Sequence, residues 1–331
     1  GIERFNEIMS LEPEIVDSPN AIDLTDVRGD IEFKNVSFKY NEKLDYVLNN
    51  FNLDIHAGKN IALVGPSGGG KTTVCALIPR FYDVTKGGIY VDGKNIKDLS
   101  LHSLRNNIGI VQQDVYLFSG TIMENIRYGK PDATKEEIVE AAKLASAYDF
   151  IMELEHGFDT YVGERGVKLS GGQKQRLTLI LVMCKESKIV MFDEVTSGLD
   201  FETRQRLMDK LVTWYEEKHT TLLITSHYYT ELDNLATKIL YLKDGRAVDY
   251  GSKEELFRKY CGNAVVIFED TEKGHEIAKA HKQIKAAEGF IALSCDNDDE
   301  EVEIAEKLIR NHINYRRSNN DIEMMTINAE R

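Results

Sequence analysis

The run Gly65, Pro66, Ser67, Gly68, Gly69, Gly70, Lys71, Thr72 constrains this chain more than any other stretch, because it packs four glycines into eight residues. It follows a short apolar segment, Asn60 to Val64, and precedes a run with helical spacing, Thr72 to Phe81, so the local order is strand, loop, helix. A glycine-rich turn in that place lets successive N–H groups and the positive end of the helix face one point, which suits a phosphate. Lys71 adds a full charge there, the Thr72 hydroxyl suits a magnesium ion, and Thr73 counts as a further binding residue. The chain is therefore expected to build a parallel α/β core with a nucleotide phosphate at the carboxyl end of a strand.

A second strand signal supplies the acid groups such a site needs. Ile189 to Phe192 is hydrophobic and runs straight into Asp193 and Glu194. Phosphoryl transfer depends on positioning and charge neutralisation, so one carboxylate can serve the metal and its neighbour the attacking water. The expectation is Asp193 on magnesium and Glu194 as the group that orients or deprotonates water. Standing alone, an acidic pair after a strand is as readily a solvated loop; the phosphate loop upstream gives this one its meaning.

Between the two lies Leu169 followed by Ser170, Gly171, Gly172 and Gln173 at the opening of a strongly apolar helix, read as Lys174 to Cys184. A hydroxyl and glycine N–H groups at a helix start make a second anion-binding point. With the phosphate loop before it and the carboxylates after it, the chain resembles the ABC ATPases. The resemblance implies a P-loop NTPase fold of the ABC type: a RecA-like core, an antiparallel β subdomain and a helical signature subdomain. It also implies that Ser170, Gly171, Gly172 and Gln173 bind the γ-phosphate of ATP held by a second ATPase domain, in a head-to-tail dimer.

The remaining family motifs follow in order. By resemblance, Tyr40 stacks on adenine and Gln113 senses magnesium and couples to the membrane domain. Ser197 to Asp200 crosses the dimer interface, and His227 contacts the γ-phosphate, which places it with Glu194 and Lys71 among the catalytic residues. The wording around Arg80 to Tyr82, Leu101 to Gln113, Leu117 to Ile126 and Val162 to Gly166 is similar to bacterial and organellar multidrug and lipid exporters, the last stretch being the one that contacts the membrane domain's intracellular loops. Such exporters carry membrane helices, expected here upstream of Gly1, and hold their ATPase domains at the cytoplasmic face. The chain departs from the family at Leu181, where arginine is usual, and at Gly198, where alanine is commoner; neither change removes a group assigned to chemistry.

Composition agrees with this reading. The 331 residues carry a formal charge of −14, which argues against a nucleic-acid partner, and the four cysteines lie far apart with no metal-ligand spacing. Two rivals fit less well. A soluble ABC ATPase acting on DNA or ribosomes would carry a second cassette or a long coiled-coil insertion between Lys71 and Leu169, and a non-catalytic regulatory cassette would have no use for Glu194 and His227.

Three segments are expected: a tether over 1–29, with an amphipathic stretch Ile2 to Met9 and an extended connector; the ATP-binding domain over 30–260; and an accessory α/β unit of unassigned role over 261–331. The last reads as strand Ala264 to Phe268, helix Gly274 to Ala287, strand Phe290 to Ser294, helix Glu301 to Ile313 and strand Ile322 to Ile327. Its acidic run from Asp296 does not make a calcium loop, because Glu301 takes the place that needs glycine and Lys307 the place that needs a bidentate carboxylate. At about 70 residues this unit is near the lower limit for an independent core, so it is expected to lean on a partner.

Overall fold

A computed structural model describes residues 4–5, 9–112, 115–163, 167–196, 199–226 and 229–329. Its centre is a six-stranded sheet in the order Arg246–Ser252, Lys238–Lys243, Asn60–Val64, Thr221–Thr225, Ile189–Asp193, Ile108–Val111. All neighbours are parallel except Arg246–Ser252, which pairs antiparallel at one edge. The three central strands are buried at every position, as expected where both faces of a parallel sheet are covered.

Strand alternation divides the core into two layers. Ile61, Leu63, Ile189, Met191 and Leu223 face a four-stranded antiparallel sheet formed by Leu48–Ile55, Ile31–Phe38, Lys86–Val91 and Lys94–Asn95. Ala62, Val64, Val190, Phe192, Leu222 and Ile224 point the other way, toward the helices Gly171–Lys185 and Phe201–Glu217. Beyond these stand Ile122–Arg127, Lys135–Leu144 and Tyr148–Glu153, with the small hairpin Gly120–Thr121 and Tyr161–Val162. The expected core, antiparallel subdomain and helical subdomain are thus all present.

The N-terminal segment is less of a free tether than its composition suggests. Leu24 is buried in the core between the two sheets. The Ile22 N–H donates to Asp98 O at 2.9 Å, the Leu24 N–H to Ser103 Oγ at 2.9 Å and the Leu101 N–H to the Asp17 carboxylate at 2.7 Å, so residues 17–24 lie along the entry to the helix Leu101–Asn106.

The C-terminal unit departs from expectation in two places. Strand Ala264–Glu269, helix Glu272–Ala278, strands Gln283–Ile284 and Phe290–Cys295, helix Asp298–Arg310 and strand Tyr315–Ser318 form a βαββαβ unit with antiparallel sheet order 283–284, 290–295, 264–269, 315–318. This is a ferredoxin-like arrangement. The helix expected over Gly274 to Ala287 stops at Ala278, because Gln283 and Ile284 are drawn into pairing with Leu293 and Ala292. The expected strand Ile322 to Ile327 is a helix, Ile322–Ala329. Asp321 caps it by accepting the Met324 N–H at 3.0 Å, and the Thr326 hydroxyl donates back to Ile322 O at 2.8 Å.

That helix explains how a small unit becomes stable. An eight-residue helix is marginal alone, but Ile322, Met324, Met325 and Ala329 are buried in the main core with Leu256, Phe257, Val265 and Ile267. Fully burying side chains the size of Ile322 and Met325 contributes about 1.5–3 kcal/mol each, enough to outweigh the weak local preference. In place of the expected partner, the unit leans on the ATP-binding part of its own chain, with a second cluster of its own, Val266, Phe268, Leu293, Ile304 and Leu308, on the other sheet face. The Ile322 N–H also donates to the Asp233 carboxylate at 2.9 Å, on the helix Tyr229–Leu235.

Candidate nucleotide site

The loop after Val64 is shaped by two glycines in backbone conformations that strain any residue with a side chain. Gly65 has φ 137°, and a Cβ there would come within 1.9 Å of Leu242 O on the neighbouring strand. Gly70, with φ 104°, is the N-cap of the helix Lys71–Leu77 and would drive a Cβ to 2.8 Å from Leu48. Having no side chain to cap the helix, Gly70 leaves the first-turn N–H groups to the loop itself. Lys71 folds back over this turn, its ammonium donating to Gly65 O at 2.9 Å and Pro66 O at 3.0 Å. Burial pushes its pKa below the ordinary lysine range, while Glu194 and Asp193 pull it back up. The Lys71 ammonium is thus held near two carboxylates in a partly desolvated cleft, the setting in which an incoming polyanion gains most from one positive charge.

Asp193 ends its strand in register with Thr225, and Thr225 in turn lies in register with Leu63 of the strand that feeds the loop. Three strand ends therefore converge on one edge of the sheet. The Thr72 hydroxyl donates to Asp193 Oδ1 at 3.4 Å and the Thr225 hydroxyl to the same oxygen at 2.6 Å. Glu194 follows with φ 56°, a left-handed backbone unusual for a side chain with a Cβ, and its N–H donates to Thr225 O at 3.2 Å. The sheet thus delivers Asp193 into the buried floor and turns Glu194 out of the strand direction at the next residue.

On the outer side, Tyr40 is 44% exposed and its hydroxyl lies 3.0 Å from that of Thr73. Phe38 and Tyr82 pack against its ring nearly at right angles, with centroids 4.9 and 5.1 Å away, which fixes the plane of a part-exposed aromatic.

The second anion-binding point is built differently. Ser170 Oγ accepts the Gln173 N–H at 3.2 Å while Gln173 Oε1 accepts the Ser170 N–H at 2.9 Å, a reciprocal capping box. This cap starts the helix at Gly171, three residues ahead of the expected Lys174. Ser170 and Gly171 are exposed. Beside this turn lies a cavity of about 370 Å³ lined by Val115, Tyr116, Leu117, Gly163, Val167, Lys168, Leu169 and Lys174. An aromatic patch flanks it: Tyr116 is 79% exposed, and Phe118 and Tyr128 stack at 4.4 Å. Gln113, His227, Glu164 to Gly166, and Ser197 with Gly198 lie outside the described residues.

Residues 48–197 match the family model described as ABC transporter. A solved structure, a bacterial Atm1-family ABC exporter with ATP bound, superposes with a TM-score of 0.72 at 38% identity, over 78% of this chain and 44% of that one. A Bacillus subtilis (strain 168) protein named for multidrug export, YgaD, is 46% identical over 258 residues, 77% of this chain and 43% of its own length. A Staphylococcus aureus (strain NCTC 8325 / PS 47) protein with the same kind of name is 49% identical over 232 residues, 70% of this chain and 40% of its own. This chain carries the ATPase domain of the ABC transporter family.

The relatives are named as export ATP-binding/permease proteins, and the solved exporter holds ATP. The chain spans less than half the length of these relatives. Among its described residues no helix is long and apolar enough to cross a membrane. The ATPase site also contains a residue that sequence reading passed over. Thr225 reads as the last position of an apolar strand leading to His227, and only the strand register reveals that its hydroxyl lands on Asp193. A polar residue ending a fully buried strand was the available signal, since a buried hydroxyl needs an acceptor.

Proposed function

We propose that this chain is the motor of an exporter: two copies, or this chain and a similar one, close head to tail on two MgATP, hydrolyse it and reopen. The observation that carries the reading is the meeting of Lys71 and Thr72, from the loop and helix after one strand, with Asp193 and Thr225, which end the next two strands of the sheet. In this reading Gly65, Pro66, Ser67, Gly68, Gly69 and Gly70 wrap the phosphates with backbone N–H groups, Lys71 supplies the charge, Thr73 supports the loop and Tyr40 stacks on the base. Glu194, adjacent to the metal carboxylate yet turned out of the strand, orients the attacking water, with His227 at the γ-phosphate. The exposed Ser170 and Gly171, with the half-buried Gly172 and Gln173, complete the opposite chain's site. Closing then shifts the population toward the state in which ATP touches both chains.

The residues present suit magnesium: a hydroxyl and a carboxylate, hard oxygen donors 3.4 Å apart, are what it takes beside substrate phosphates. When bound, the ion neutralises phosphate charge; Thr72, Asp193 and Gln113 would hold it. A membrane domain at the cytoplasmic face is the further partner, and the cavity between Val115 and Lys174 with the aromatic patch of Tyr116, Phe118 and Tyr128 supports its docking there. The segments 1–29, 30–260 and 261–331 are the connector, the ATPase domain and an accessory unit seated beside the helix that follows His227. Phosphate release by the purified chain, compared with Lys71→Ala, tests the reading. Magnesium-dependent turnover that the variant lacks supports it; equal release from both contradicts it.

A further inference from the structure

We infer that Thr225 is a positioning residue for the metal carboxylate, holding Asp193 in one rotamer and Glu194 at its turn from a single place in the sheet. The inference rests on the assignment of Asp193 to magnesium made above. Thr225 sits between the strand that feeds the phosphate loop and the strand that ends in Asp193, in register with both. It is 2% exposed and Asp193 is 5% exposed, so water competes little for either group. Its hydroxyl donates to Asp193 Oδ1 at 2.6 Å, the length of a charge-assisted bond, while the Thr72 hydroxyl reaches the same oxygen at only 3.4 Å. A carboxylate is planar, so pinning one oxygen fixes the direction of the other. The same residue's carbonyl accepts the Glu194 N–H at 3.2 Å, at the point where Glu194 takes its left-handed φ of 56°.

The plainer account is a buried threonine that has found the nearest acceptor. It predicts a loss of stability spread evenly over every property when the hydroxyl is removed. Positioning predicts something narrower, because outer-shell partners of a metal ligand act on metal affinity, commonly by about 10-fold or more. Thr225→Val keeps the branched shape and strand preference and deletes the O–H.

The test titrates ATP into the full chain by calorimetry, first with EDTA and then over a series of magnesium concentrations, alongside melting temperatures. Thr225→Val is expected to bind metal-free ATP as the parent does but to need about tenfold more magnesium for the tight state. Thr225→Ser, which keeps the hydroxyl, should restore the parent curve. Thr225→Ala gives the same reading if valine strains the fold. An unshifted magnesium curve in the hydroxyl-lacking variants, or lowered melting and metal-free affinity without a magnesium shift, overturns the inference. Asp193→Asn separates the two levels: if it too leaves the magnesium requirement unchanged, the assignment of Asp193 is at fault, whereas a shift in Asp193→Asn alone condemns only Thr225.

Discussion

Two helix N-termini in this chain use the same chemistry and end up with opposite characters. At Lys71 the cap is a glycine in a left-handed conformation, the loop wraps inward, and the lysine is buried against loop carbonyls. At Gly171 the cap is a serine that spends its hydroxyl on the Gln173 N–H, and the turn stands exposed. The first is an inner site assembled at the ends of three strands of one chain. The second is a rigid, self-satisfied knob with glycine N–H groups on a surface, which gains a phosphate only when something brings one to it. A glycine-rich helix start is therefore not one device: burial and the choice of cap decide whether it holds a ligand or completes another site.

The sharpest separation concerns the carboxylate beside the inner pocket. Glu194→Gln keeps the shape and loses the base, so turnover should fall by about 10² to 10⁴ while ATP affinity holds, read by phosphate release and by calorimetry. Parent-like turnover would remove Glu194 from the chemistry. Lys71→Ala should next weaken ATP binding by about 10- to 100-fold, the worth of one bond to a charged partner in a partly buried site. If affinity is unchanged, the inner pocket is not where ATP is held.

Gln173→Ala removes one of the two bonds of the outer capping box and should lower stability by about 0.5–1.5 kcal/mol in denaturant titration, with ATP affinity of the single chain intact. A large loss of single-chain affinity would mean that the two termini are not as different as their burial implies. Smallest of all, Tyr40→Phe keeps the ring and loses only the hydroxyl contact with Thr73 at 3.0 Å, so ATP affinity should change by about twofold or less. A tenfold loss would show that the hydroxyl matters more than the ring face.

The ATPase part was legible in the sequence to an unusual degree because its chemistry demands glycines and carboxylates at fixed spacing. Gly65 and Gly70 sit where their φ angles of 137° and 104° strain any side chain, so the requirement is written in the residue type itself. Thr225 escaped notice because its role depends on which strand lies beside it, and register between non-consecutive strands leaves no local mark. The C-terminal unit was read less well for a related reason. Ile322, Met324, Met325 and Ile327 form a short apolar run that suits strand or helix equally, and only the partners buried with them, Leu256 and Phe257 among others, decide for the helix. Tyr315–Ser318 carries two arginines on an exposed edge and gave no strand alternation to see.

The central claim is that the inner pocket binds ATP within one chain and the outer turn acts only across a dimer. Sedimentation of a Glu194→Gln chain carrying Ser170→Arg measures both at once, with ATP bound and assembly state followed together. The account predicts that the added arginine leaves ATP binding to the single chain at the Glu194→Gln level and abolishes the ATP-dependent dimer that Glu194→Gln forms by itself. An ATP-dependent dimer that survives Ser170→Arg, or single-chain binding that falls as far as it does in Lys71→Ala, would contradict it.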